Sequence, residues 1–90
     1  MRYHGVPGAE IIEAGIADLK AGRETIPALL VSIGAPRLRD LGLVVQGGFE
    51  NPEHRLYERL AAEDPRAAHA RYNAYLQRLV SFERAAACVR

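Results

Sequence analysis

The last twenty-three positions limit the fold more than any other stretch. Ala68, Tyr72, Tyr75, Leu79, Phe82, Ala86 and Val89 recur at alternating steps of four and three, the spacing that places side chains along one side of an α-helix as a continuous seam. A helix running from near Pro65 toward the end of the chain is about 36 Å long at 1.5 Å per residue. Its seam must be covered by other helices or by a second copy. A two-stranded coiled coil would carry charges on both flanks of the seam. Here the flanks hold Asn73, Val80 and Ala87 on one side and Ala67, Ala74, Ser81 and Cys88 on the other. Leu76 widens the apolar arc, and the wet strip narrows to Arg71, Gln77, Arg78 and Arg84. A helix dry over that much of its circumference belongs in a bundle.

The preceding residues supply the bundle. Ile12, Ile16 and Leu19 mark a helix from Ala9 to Ala21, with Glu10 and Glu13 at its positive end and Gly22 beyond its last turn. Thr25 reads as the cap of a second helix with Pro27 in its first turn; Ile26, Leu29, Leu30 and Ile33 form its stripe and Gly34 its stop. Pro36 then opens a short third helix with Leu38 and Leu41, ended by Gly42. The run "LVVQGGFENP" lacks helical spacing and reads as a loop. Asn51-Pro52 and Asp64-Pro65 each pair a cap residue with a proline suited to a first turn, so two more helices begin near 52 and 65. The fourth presents Leu56, Tyr57, Leu60 and Ala61, and the short Asp64-Pro65 junction folds it back on the fifth as an antiparallel hairpin.

Charge agrees with that pairing. Residues 50–64 balance at minus three and residues 65–90 at plus four. Exposed ion pairs contribute only about 0 to 1 kcal/mol each, whereas burying a Leu or Phe contributes roughly 1.5 to 3. Packing therefore sets the fold and charge adjusts register. Ninety residues suffice for one core that buries roughly 60 to 65% of the unfolded surface. The expected architecture is a single all-α domain, 1–90, of about five helices.

Composition narrows the function. Apolar residues at 49% and charged residues at 26% exclude disorder, and a net charge of +1 is below the basic excess of a dedicated nucleic-acid binder. Cys88 is the single cysteine, which excludes an intrachain disulfide and a cysteine zinc cage and points to the cytoplasm. "MRYHGVPGAE" lacks a signal peptide's apolar core and "IPALLVSIGA" is too short to span a bilayer. His54, four residues from both Glu50 and Glu58, and His69 on the next helix read as a solvated face, because a metal site needs three or more inward groups. Cys88 reads as a small buried residue and not a nucleophile. "HGVPGAE" reads as a flexible arm, since it lacks both the Lys-Ser/Thr ending of a P-loop and a preceding strand. No catalytic residue, metal or cofactor is expected.

Two binding readings follow. The first is a small cytoplasmic interaction or regulatory module, an accessory subunit or antitoxin-like protein, that contacts its partner through Tyr72, Tyr75, Leu79, Phe82, Ala86 and Val89. The last helix is expected to overhang its shorter neighbours near Ala86 and Val89, and an overhang favours a two-fold homodimer. The alternative is a nucleic-acid-binding regulator using Arg71, Arg78 and Arg84 along the wet strip, or a weak helix-turn-helix spanning Ile26 to Leu41 with its turn at Gly34. A small enzyme ranks third.

Overall fold

Helix boundaries follow the capping chemistry closely in the first half of the chain. In a computed structural model describing residues 3–89, four helices form: α1 Ala9–Lys20, α2 Ile26–Asp40, α3 Pro52–Glu63 and α4 Ala68–Val89. There is no strand among the described residues, and none of their helices is long and apolar enough to cross a membrane. α1 ends where Gly22, at φ 78°, lets its own amide reach the Leu19 carbonyl and the Arg23 amide reach that of Asp18. The Thr25 hydroxyl oxygen accepts the Ala28 amide at 3.2 Å and caps α2. It also donates to Asp18 Oδ2 at 2.6 Å, while Arg23 donates to Oδ1, so one carboxylate ties the end of α1 to the start of α2. These bonds, that from Thr25 foremost, hold the Asp18 carboxyl below its usual range.

Pro36 does not open a separate helix, and the described residues form four helices where the sequence suggests five. α2 runs through Pro36 to Asp40, and Gly34 sits inside it. An interior proline costs about 3 kcal/mol through its missing amide and its ring. Continuing the same buried face offsets that, because Ala35, Leu38 and the following Leu41 are all in the core and a buried Leu contributes roughly 1.5 to 3 kcal/mol. The true stop is Gly42 at φ 91°, whose amide bonds Arg39 while that of Leu43 bonds Leu38. α4 likewise begins at Ala68 and not at Pro65. Asp64 accepts the Arg66 amide on its side chain and the Ala67 amide on its carbonyl, forming a turn before the helix proper.

The segment before α1 is no flexible arm. Tyr3 is 1% exposed, its hydroxyl donates to the Leu41 carbonyl, and its ring meets Phe82 edge-on at 5.7 Å. The loop between α2 and α3 is held as firmly. Arg39 donates to the carbonyls of Val45 and Gly47, and Ser32 on α2 accepts the Phe49 amide. The core is assembled from all four helices and both of these segments: Ile12, Leu29, Leu30, Leu38, Leu56, Leu60 and Phe82 are fully enclosed, with Tyr3 and Val45 beside them.

Candidate functional site

α4 is covered by different elements along its length. Near its start Arg71 pairs with Glu63 of α3 at 2.9 Å, and the rings of Tyr72 and Tyr57 meet edge-on at 5.5 Å. Farther along, α4 crosses α2 at Gly34, where an added β-carbon would lie 2.8 Å from Leu79 Cδ1 and 3.1 Å from Glu83 Oε2. Without a side chain at Gly34, the ends of Leu79 and Glu83 pack onto α2 at that point. The seam residues Leu79, Phe82 and Ala86 are consequently in the monomer's own core. They present nothing to a second chain in this conformation. Tyr72 and Tyr75 are half-buried, and only Val89, at 61% exposure, stands in water. The expected overhang is thus absent at Ala86.

What remains open is the line of α4 beside the crossing. Asn73, Leu76, Gln77, Val80 and Arg84 recur at helical spacing and line a depression of about 500 Å³. A second, of about 400 Å³, is bounded by Ile33, Gly34, Pro36 and Arg37 of α2 and by Leu79, Val80 and Glu83 of α4. A third, of about 220 Å³, lies between Arg37, Asp40 and Leu41 and the α4 residues Glu83, Arg84 and Ala87. Shared residues join them: Val80 links the first to the second, Arg37 and Glu83 the second to the third, and Arg84 the first to the third. The second and third lie along the α2–α4 junction as one groove, and the first continues from them at Val80 and Arg84 onto the face of α4 alone.

Glu83 gives this groove its chemistry. It is the only buried polar or charged residue among those described, with its side chain 8% exposed. No donor among the described residues lies within hydrogen-bond distance of its carboxylate, and its nearest counter-charge, Arg37 Nη1, is 3.9 Å away on a side chain that is 73% exposed. Burial pushes the carboxyl above its usual range, opposed by Arg37. Ionised groups this well enclosed are ordinarily paired and hydrogen-bonded. Glu83 is paired loosely and from the solvent side. From the sequence it counts only as one acidic residue on a basic helix. The available signal is its register, four residues after Leu79 and three before Ala86, on the flank of the seam itself.

The other candidates separate. Arg71 and Arg78, seven residues apart, share a face, but Arg84 is rotated from Arg78 by about 120°. Arg71 is engaged by Glu63, which with Tyr75 raises its pKa further, and Arg78 stands over the Tyr75 ring at 5.9 Å. The three guanidiniums therefore do not lie along one face of α4. The stretch from Ile26 to Asp40 is one uninterrupted helix, so it forms no helix-turn-helix, and Arg39 is spent on the loop after it. His54 pairs with Glu58 at 3.0 Å and His69 lies 3.3 Å from Asn73, both exposed. Among the described residues no group of three His, Cys, Asp or Glu side chains could hold a metal ion. Cys88 is exposed, contrary to its reading as a core residue, because α4 outruns its cover in its last turn. No family model, curated protein or solved structure matches the chain.

Proposed function

We propose that this chain is a small protein–protein interaction module whose docking surface is the groove between α2 and α4. One observation carries the reading: Leu76 and Val80, four residues apart on α4, are half-exposed and continuous with half-exposed Ile33 across the Gly34 crossing, in a concave strip rimmed by Arg37, Arg84, Asn73 and Gln77. An amphipathic helix laid into such a strip buries anchors at the same three- and four-residue spacing, and the polar rim fixes its register. A photo-crosslinking residue at Val80, expressed in the native host, tests this against the same residue at exposed Ala62 on α3. A discrete adduct at position 80 that disappears on Leu76→Asp is the expected result. Adducts at both positions, or at neither, overturn the reading.

A second copy is the second reading of the same strip, favoured by Val80 at its middle, where a two-fold axis would bring α4 against itself. Light scattering then gives a mass near twice 9.9 kDa that returns to 9.9 kDa on Val80→Asp. A wild-type mass of 9.9 kDa at micromolar concentration removes self-association.

A further inference from the structure

We propose that the groove receives a lysine side chain from a helix of a partner protein, its ammonium on the Glu83 carboxylate and its aliphatic stem along Ile33, Pro36, Leu79 and Val80. This rests on the reading of the groove as a docking surface and names the chemistry that the surface selects.

Three features of the groove lead to that occupant. The Glu83 side chain is 8% exposed and borders two of the three depressions, so its carboxylate is open to an occupant of the groove. Its nearest counter-charge among the described residues stands toward solvent, on the 73% exposed Arg37 side chain, at a separation too long for a charge-assisted hydrogen bond. The floor between the carboxylate and the mouth is apolar, as a methylene stem requires. Lysine is the simpler fit: an ammonium is a point charge that one carboxylate oxygen satisfies, and Oε1 already faces Arg37 at 3.9 Å, whereas the arginine fork engages both oxygens. Asp40 shares the rim with Arg37 and Arg84, so two carboxylates and two guanidiniums border the approach.

A second copy is the poorer occupant on the same grounds. An antiparallel pair of α4 helices centred on Val80 sets Glu83 opposite Gln77 of the other copy and Arg84 opposite Leu76. The enclosed carboxylate would gain no cation from the second copy and would be left with its loose pair to Arg37 at 3.9 Å, and a poorly compensated buried charge is destabilising.

The test follows backbone amide shifts of the full chain by NMR while adding n-hexylammonium and, separately, its neutral counterpart n-hexanol. The expected result is saturable movement of Gly34, Arg37, Val80 and Glu83 with the amine, at least tenfold weaker binding of the alcohol, and at least tenfold weaker amine binding in Glu83→Gln. Equal affinity for amine and alcohol, or undiminished amine binding in Glu83→Gln, overturns the lysine assignment and leaves the docking groove standing. Movement with neither probe also overturns the lysine assignment, while the crosslinks at positions 80 and 62 judge the docking groove separately. The amine–alcohol comparison needs no variant, so it decides the matter even if Glu83→Gln does not fold. A groove found filled by a second copy also overturns the assignment.

Discussion

Gly15→Ala is the sharpest test of the packing described here, because helix propensity and tertiary contact predict opposite signs. In mid-helix, alanine exceeds glycine by about 1 kcal/mol, so α1 by itself gains from the change. Against α2 it loses. The added β-carbon would stand 2.3 Å from the Pro27 carbonyl oxygen, 2.8 Å from the Pro27 carbonyl carbon and 2.4 Å from Val31 Cγ2. Ordinary contact begins near 3.4 Å, so α1 must retreat by about 1 Å. The obstacle is backbone, which cannot rotate away. A gap of 0.5 to 1 Å forfeits roughly a quarter to a half of each dispersion contact, and Ile12 and Leu19 on the same buried face lose theirs together. Overpacking of this kind costs about 1 to 3 kcal/mol and occasionally more. Because the obstacle is backbone, the cost falls at the top of that range, and with the propensity gain deducted a net loss of about 2 kcal/mol is expected, a large share of the roughly 5 to 13 kcal/mol available to a domain of this size. Urea unfolding followed by circular dichroism at 222 nm reads this as a lower midpoint at unchanged slope. Gly34→Ala is the internal control. Its β-carbon would meet the tips of Leu79 and Glu83, which can turn aside, so its loss should be clearly smaller. A Gly15→Ala protein as stable as wild type, or more so, would refute the close α1–α2 crossing and the reasoning built on it.

Three further outcomes are expected. Because burial raises the Glu83 pKa, its contribution to stability is fully present below the unfolded value of about 4.5 and is lost as pH rises through the folded value. Glu83→Gln, with Arg37, Asp40 and Arg84 unchanged around it, should therefore gain on wild type between pH 4 and pH 7 in urea unfolding, and a pH-independent difference contradicts the burial effect. Arg39→Ala removes the donor to the Val45 and Gly47 carbonyls and should cost about 1 kcal/mol while speeding amide exchange over residues 43–49 and sparing α3. Cys88 should react stoichiometrically with a thiol reagent in the folded protein, at a rate that urea leaves nearly unchanged; protection until unfolding would show the end of α4 to be covered.

The local instructions in this chain are legible because they act within a few residues. Thr25 with Pro27, Gly22 and Gly42 each satisfy or release backbone groups at the ends of α1 and α2, and that chemistry needs no distant partner. The periodic apolar residues likewise fix an all-helical domain and select Leu79, Phe82 and Ala86 for burial. Tertiary structure decided the rest. Pro36 stays inside a helix because Leu38 and Leu41 gain more by remaining on the buried face than the proline costs, and that balance depends on what stands opposite. Tyr3 is drawn from an apparent arm into the core by Phe82 and the Leu41 carbonyl, 79 and 38 residues away. Gly34, an apparent stop, is a crossing point, and Glu83, an apparent surface charge, is enclosed because that crossing is close. Periodicity in one segment tells which side of a helix will be dry, but only the fit of one segment to another tells which polar group is carried into the dry side with it.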